Sequence, residues 1–337
     1  MSGDGLLVLT GQEVEELLAG RERDILAVVE RAYVAHNQGK SSLPHSTFLR
    51  FPDNEVDRII ALPAFLGDGF EVAGLKWISS FPGNLRRGIA RASAVLVLND
   101  CEDGRPEAVL EGSIISALRT AASAALAART LMEGKRPERV GLIGAGLINY
   151  EVARFLAVDS GADRFLLQDL DAERAGHFAA GLRQALGEVE VEIAAGAAEV
   201  LASCPLVSLA TTAGRPHLGD LSMCPREMTI LHVSLRDLTP EVILACDNVT
   251  DDTDHVCRAA TSLHLAEQAT GGRDFIRCTL ADILEGKAPA RRGDGAVAVF
   301  SPFGLGILDV ALGKLVAESA RAAGRGTTIA SFFPASR

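Results

Sequence analysis

Three cations stand in apolar surroundings that ordinarily exclude charge: Arg50 in Thr-Phe-Leu-Arg-Phe, Lys76 in Val-Ala-Gly-Leu-Lys-Trp-Ile, and Arg119 in an Ala-rich stretch. Burying any of them is costly unless it meets an anion. One alone reads as a structural ion pair. Three together, with Arg91 close behind, point to a carboxylate pocket, since guanidinium forks match carboxylates bidentately. A second constellation lies downstream. Gly144-Ala-Gly146-Leu147-Ile148-Asn149 approaches the G-x-G-x-x-G/A dinucleotide fingerprint. Its first glycine permits a tight turn, its second admits a pyrophosphate, and the helix that opens there supplies N–H donors. Asn149 takes the third small position, which predicts slightly wider helix-to-strand packing.

The elements around these residues agree with the chemistry. Thr10-Gly-Gln-Glu13 has the spacing of a capping box, and helical stripes follow it. Between Ser46 and Leu98 the segments 57–62, 73–78 and 94–98 are β-rich and punctuated by Pro and Gly. A long Ala-rich helix is predicted over 113–132, with Arg119 as its interior charge, and Pro137 marks a joint. Beyond it, strands at 139–143, 164–169, 189–194, 206–212, 229–234 and 247–250 alternate with helix or loop, the pattern of a parallel, doubly wound sheet. A final helix over 304–323 turns Ile307, Leu308, Ala311, Leu312 and Leu315 inward. The expected fold is α/β: a Rossmann-type dinucleotide domain at 133–302, and a discontinuous α/β domain from 1–132 plus 303–337 for substrate binding and dimerisation.

Asp169 ends the second of these strands. A carboxylate there accepts bonds from both adenosine ribose hydroxyls and repels a 2′-phosphate. No basic residue follows in Asp169-Leu-Asp171, so NAD is expected rather than NADP. Thr211, ending an apolar strand, would lie beside the cofactor at the carboxyl edge of the sheet.

Composition narrows the function classes. Lys plus Arg number 33 against 44 Asp plus Glu, a net charge of −11 that argues against a nucleic-acid or anionic-membrane partner. The first residues lack a basic and then apolar leader, and no apolar run is long enough for a membrane span, so a cytoplasmic location is expected. The cysteines at 101, 204, 224, 246, 257 and 278 form no CxxC pair and read as reduced, mostly core thiols. No His/Cys/Asp set has metal-ligand spacing, so no metal is expected.

Several separated motifs resemble one family. Leu75-Lys76-Trp-Ile-Ser-Ser-Phe-Pro82-Gly-Asn84 is similar to the FKxxxxxPxN segment of the ornithine cyclodeaminase/mu-crystallin family. Ala117-Leu-Arg119-Thr-Ala-Ala is similar to its ALRTAA helix, and Gly304 through Asp309 to its closing GxxxxD helix. The segments 43–53, 58–63 (Arg58-Ile-Ile-Ala-Leu-Pro63), 234–240 and 254–258 look like the family's branch of 2,3-diaminopropionate biosynthesis dehydrogenases. Those enzymes cleave N-(2-amino-2-carboxyethyl)-L-glutamate oxidatively for siderophore or peptide-antibiotic pathways.

The resemblance implies an NAD-dependent dehydrogenase acting on an amino-acid C–N bond, and a homodimer formed through the first domain. It puts Arg50 and Lys76 at substrate-holding positions, with Arg91 and Phe303 beside them, and Arg119 near both substrate and cofactor. Asp237 falls on the acid/base aspartate, with Lys76 as the other candidate for proton transfer. The cofactor set it implies is Arg119, Gly144, Gly146, Leu147, Ile148, Asp169, Thr211 and Ser234. His45 and His232 are possible helpers that read more readily as structural histidines. Three departures favour a more anionic substrate than ornithine: Arg91 in place of a small polar residue, Leu-Thr-Pro after Asp237, and Pro302 in place of a serine. The alternatives are another family activity (ornithine cyclodeaminase, alanine dehydrogenase or ketimine reductase) or a non-catalytic nucleotide-binding dimer like a lens crystallin. The joint presence of Lys76, Arg119 and Asp237 weighs against the last.

Overall fold

Period-two alternation through the N-terminal third gives a sheet with two unlike faces in the computed structural model of the protein, which describes residues 5–334. Residues 1–4, part of the stretch read as lacking a leader, and 335–337, part of the expected first domain, lie outside the described residues. The strands are β1 Leu6–Leu9, β2 Ser41–Ser42, β3 Thr47–Phe51, β4 Asn54–Leu66, β5 Val72–Ser80, β6 Ala92–Asn99, β7 Pro106–Glu111, β8 Val140–Ile143, β9 Arg164–Gln168, β10 Glu190–Ile193, β11 Leu206–Leu209, β12 Thr229–His232, β13 Asp247–Thr250, β14 Ile276–Thr279, β15 Ala298–Ser301 and β16 Thr327–Ile329. They form two sheets. One runs β16-β1-β7-β6-β5-β4-β2 with β3 also paired to β4, and the other runs β10-β9-β8-β11-β12-β15-β13-β14.

The first sheet is antiparallel apart from β1 beside β7. Leu62 of β4, Lys76 of β5 and Leu96 of β6 are cross-strand partners and therefore share a face. The closing helix, Gly306–Ala323, lies on that face. It approaches so closely that a Cβ at Gly313 would sit 2.4 Å from a Leu96 methyl, which explains a glycine inside the helix. Leu62, Leu66, Leu96, Leu98 and Leu110 are buried there, each contributing ~1.5–3 kcal/mol of transfer free energy. The helix Gly11–Leu18 opens with the expected capping box, Thr10 and Glu13 bonding each other's backbone.

The second sheet is parallel throughout, with β8 near its centre and the strand order reversing between β8 and β11. Its central strands are buried along their length, as a sheet covered on both faces requires. This is the Rossmann-type α/β fold. Two of the expected strands stop early: β11 ends at Leu209 and β12 at His232, so Thr211 and Ser234 stand on the loops that follow. The strands β14 and β15 fell outside the sequence pattern, because four residues are too few to show an alternation, and β15 is buried throughout.

The chain divides into two compact units, one comprising residues up to Arg119 and from Leu305, the other Thr120–Gly304. The sequence reading put these limits at 132/133 and 302/303. The helix Ser113–Leu131 is continuous, and the division between the units falls inside it, after Arg119. A division that falls inside a continuous helix leaves no mark as visible as Pro137. Among the described residues, none of the six cysteines forms a disulfide, and no helix is long and apolar enough to cross a membrane.

Candidate active site

In open α/β sheets, ligands bind at the carboxyl ends of the strands where the order reverses. Gly144 follows β8 at that point with φ +102°, and a Cβ there would lie 2.5 Å from the Ala210 carbonyl oxygen. Only glycine fits. At Gly146 a Cβ would meet nothing within 4 Å, so the backbone borders open space where the helix Leu147–Ser160 begins. Leu147 and Ile148 form the first turn of that helix, and Leu147 is 61% exposed. Asp169, just past β9, accepts the Ala145 N–H at 2.6 Å and the Asp171 N–H at 2.9 Å, which fixes its carboxylate beside the glycine turn. A carboxylate has about four acceptor positions, so ribose hydroxyls still find sites there. A glycine turn open at its second glycine, a helix N-terminus and a fixed acidic residue together suit a dinucleotide without 2′-phosphate.

Asn149 deserves a different reading from the sequence expectation. It is buried, its amide donates to the Ile143 and Gly144 carbonyls at 2.9 and 2.8 Å, and its oxygen accepts from Ser208 Oγ at 2.7 Å. The larger third residue thus ties the glycine turn to β8 and β11 by hydrogen bonds. A polar residue amid an apolar helix start was the available signal.

Asp237 lies on the loop after β12, not at a strand end as expected, and hydrogen bonds bring it to the same edge. Thr211 Oγ1 donates to Oδ1 at 2.5 Å, and Ser234 Oγ donates to Oδ2. The Asp237 N–H stands 3.2 Å from His232 Nε2, and His232 Nδ1 faces Ser301 Oγ at 3.1 Å. His232 Nε2 also stands 3.4 Å from Asp237 Oδ2. Burial pushes the Asp237 carboxyl up, but the His232, Ser234 and Thr211 contacts together hold it below the usual carboxylate range. It can accept a proton at neutral pH. Of the two candidate histidines, His232 reaches this aspartate, whereas His45 is an exposed residue of the first unit.

In the first unit, Lys76 and Arg119 converge on one carboxylate. Lys76 Nζ is 2.7 Å from Asp309 Oδ2, and Arg119 Nε is 3.1 Å from Oδ1. Ser116 Oγ accepts from both, at 3.0 Å from Lys76 and 3.3 Å from Arg119. All three charged groups are buried. Two cations and one anion leave a net positive charge, and among the described residues Asp309 is the sole carboxylate in ion-pair contact with either cation. Burial pushes the Lys76 ammonium down to about 8, reinforced by Arg119 and opposed by Asp309. The sequence reading quoted Asp309 in a motif but gave neither it nor Ser116 a role. One acid in the buried stretch Gly306-Ile-Leu-Asp309-Val-Ala-Leu was the signal, since such an acid needs a cation.

The other predicted residues are placed as follows. Arg50 on β3 is exposed and stacks over the Phe48 ring at 5.6 Å. Arg91 is part-buried just before β6, its carbonyl accepting the Phe81 N–H at 2.8 Å, and burial pushes its guanidinium below the ordinary value. Phe303 belongs to the second unit, where its N–H donates to Asp251 at 2.9 Å and its ring lies 6.3 Å from that of His255.

The sequence model of the ornithine cyclodeaminase/mu-crystallin family matches residues 6–324, and the chain belongs to this family. It is 27% identical over 331 residues to N-((2S)-2-amino-2-carboxyethyl)-L-glutamate dehydrogenase of Staphylococcus aureus, covering 96% of this chain and 98% of that protein. The solved structure of Thermococcus litoralis Delta(1)-pyrroline-2-carboxylate reductase, in complex with NADH and L-proline, is similar with a TM-score of 0.88 and 26% identity, covering 96% of this chain and all 100% of that one. An archaeal alanine dehydrogenase dimer with bound NAD is similar with a TM-score of 0.87 and 26% identity, covering 98% and 100%.

Proposed function

We propose that the protein is an NAD-dependent dehydrogenase that cleaves N-(2-amino-2-carboxyethyl)-L-glutamate oxidatively to 2-oxoglutarate and L-2,3-diaminopropionate, a building block for siderophore or peptide natural products. The observation that carries this reading is the buried cluster of the first unit in which two cations share one carboxylate. Lys76 and Arg119 share one carboxylate, and Arg50 and Arg91 add two more guanidinium groups. The proposed substrate is a secondary amine with three carboxylates. Such a surplus of cations suits it better than a monocarboxylate.

The dinucleotide is held by Gly144, Gly146, Leu147, Ile148, Asp169, Thr211 and Ser234, with Arg119 reaching it as the family resemblance implies. A bound NAD+ would supply the acceptor for the hydride that leaves the glutamate α-carbon of the substrate. The rest is hydrolysis of the resulting C=N bond. Asp237, held ionised by its neighbours, accepts a proton from water as the oxygen adds to that carbon, then returns it to nitrogen as the C–N bond breaks. The carbon becomes the keto carbon of 2-oxoglutarate, and nitrogen leaves as the amine of diaminopropionate. Lys76 and Arg119 orient a carboxylate beside the reacting carbon, Arg50 and Arg91 take the others, and the Phe303 ring walls the substrate. Asp169 selects NAD over NADP by repelling a 2′-phosphate.

The assembly belonging to this reading is a homodimer. Trp77, paired with Ala61 and Val95, lies on the sheet face opposite Lys76 and is 37% exposed, as is Leu49 at 41%. The helices packed on this sheet also pack on one another, so within the unit they form one layer and leave that apolar face open to a second copy.

A second reading has one support, the comparable similarity of the archaeal alanine dehydrogenase: a monocarboxylic amino acid held by Lys76 and Arg119 alone. One experiment separates the two. Purified protein and NAD+ are incubated with the tricarboxylic amine or with L-alanine, following absorbance at 340 nm and products by mass. The proposal expects NADH, 2-oxoglutarate and diaminopropionate in equal amounts from the amine. Turnover of alanine alone would replace it with the second reading.

A further inference from the structure

The sheet face that carries Lys76 continues beyond the first turn of the closing helix as a register of cross-strand rows. The first row is Leu62–Lys76–Leu96, the next Ile60–Ile78–Ala94 with Phe48, and the third Arg50–Arg58–Ser80–Ala92. Successive rows are two residues apart, so the third stands roughly 14 Å along the strand from Lys76. Arg50 and Arg58 are direct cross-strand partners. Like charges directly opposite one another destabilise a pair unless other groups compensate them, and Arg58 has further contacts of its own. Arg50 makes no ion pair among the described residues; its guanidinium rests on Phe48, two residues away on the same face. The third member of the row is more telling. Ser80 is 7% exposed, and its Oγ is buried without a hydrogen-bond partner. A buried hydroxyl in that state bears its full desolvation cost unless a ligand supplies the missing partner.

We infer that Arg58 and Ser80, with Arg50, form a distal carboxylate subsite that reads the far end of a polycarboxylate substrate, while Lys76 and Arg119 hold the end where chemistry occurs. This rests on the substrate reading above and assigns its selectivity to one row of the sheet. Arg58 and Arg50 supply two guanidinium forks and Ser80 a hydroxyl donor, a match for one carboxylate at the end of a flexible arm. A monocarboxylic amino acid has nothing to place there. The segment Arg58-Ile-Ile-Ala-Leu-Pro63 thereby gains a role: its alternation puts Arg58, Ile60 and Leu62 on the face of Lys76.

The test measures, by calorimetry on the NADH-bound protein, the Kd of N-(2-amino-2-carboxyethyl)-L-glutamate and of tricarballylate, a simple tricarboxylate. The proteins are wild type, Arg58→Gln, Arg58→Lys and Ser80→Ala, each with its melting temperature. Loss of a charge-assisted bond predicts that Arg58→Gln weakens both ligands roughly 10- to 150-fold. Arg58→Lys should recover part of that loss. Ser80→Ala should bind several-fold more weakly with a melting temperature no lower than wild type, because the hydroxyl it removes has no partner in the free protein. Unchanged Kd values in Arg58→Gln would overturn the subsite, as would loss in Arg58→Lys and Arg58→Gln alike with equally lowered melting temperatures. Wild type that binds tricarballylate but does not oxidise the amine would defeat the reaction reading alone, leaving the Kd comparison to decide the subsite. Wild type that binds neither polycarboxylate would overturn the subsite too.

Discussion

Lys76 and Arg119 share a single buried carboxylate, whereas Asp237 spreads one negative charge over the hydroxyls of Thr211 and Ser234 with His232 alongside. The first arrangement retains an excess of positive charge where water is scarce. The second has donors enough for its one anion. The contrast separates two tasks. Binding an anionic substrate calls for charge that the fold itself does not neutralise. Moving protons calls for a base whose ionisation the fold has already fixed.

Removing the shared anion should give the largest effect. Asp309→Asn leaves two buried cations facing each other, and breaking a buried pair in this way costs about 3–5 kcal/mol. A urea midpoint lowered accordingly, at unchanged m, is the expected result; an unchanged midpoint would mean that the cluster is not held as described. The corresponding change in the other region should spare stability and strike turnover. Asp237→Asn keeps shape and polarity but cannot accept the proton, so kcat should fall at least ~100-fold while NAD affinity, which the proposal assigns to Gly144, Gly146 and Asp169, should change little. Near-normal turnover would transfer the shuttle to Lys76.

The pH dependence sharpens the same comparison. Burial lowers the Lys76 ammonium from its ordinary 10.5 to about 8. Above about 8 the folded protein loses that proton first, and kcat/KM for the anionic substrate should decline by up to tenfold per pH unit, with the limb absent in Lys76→Arg. The unfolded chain keeps the proton until about 10.5, so it binds more protons between these values, and stability should rise with pH across that window. A flat kcat/KM from pH 7 to 9.5 would contradict the assignment. The smallest effect belongs to the cofactor edge. Asp169→Ala should narrow the preference for NAD over NADP by about fivefold, as expected for one part-exposed charge worth ~1 kcal/mol, read from the ratio of kcat/KM values.

The residues that sequence made legible are those whose chemistry is local. Gly144, Gly146 and Asp169 lie on consecutive elements of one strand–helix–strand unit, and their spacing survives folding. The three cations were conspicuous because each sits in an apolar run, yet the partner that explains two of them was not, since Asp309 is 233 residues from Lys76. Arg58 and Ser80 were hidden for another reason. Their relation to Arg50 is a matter of strand register, which depends on how β3, β4 and β5 align and not on any spacing within one of them. Thr211 and Ser234 were expected at strand ends and stand on loops, because apolar residues past the last ladder bond prolong the strand pattern without extending the strand.

The most direct test of the account follows one hydrogen. N-(2-Amino-2-carboxyethyl)-L-glutamate carrying deuterium at the glutamate α-carbon is given to the wild-type protein with NAD+ for a single turnover, and the products are weighed. The account predicts NADH one mass unit heavier, with unlabelled 2-oxoglutarate and unlabelled diaminopropionate in equal amounts. Deuterium retained in either carbon product, or NADH formed without 2-oxoglutarate, would contradict it.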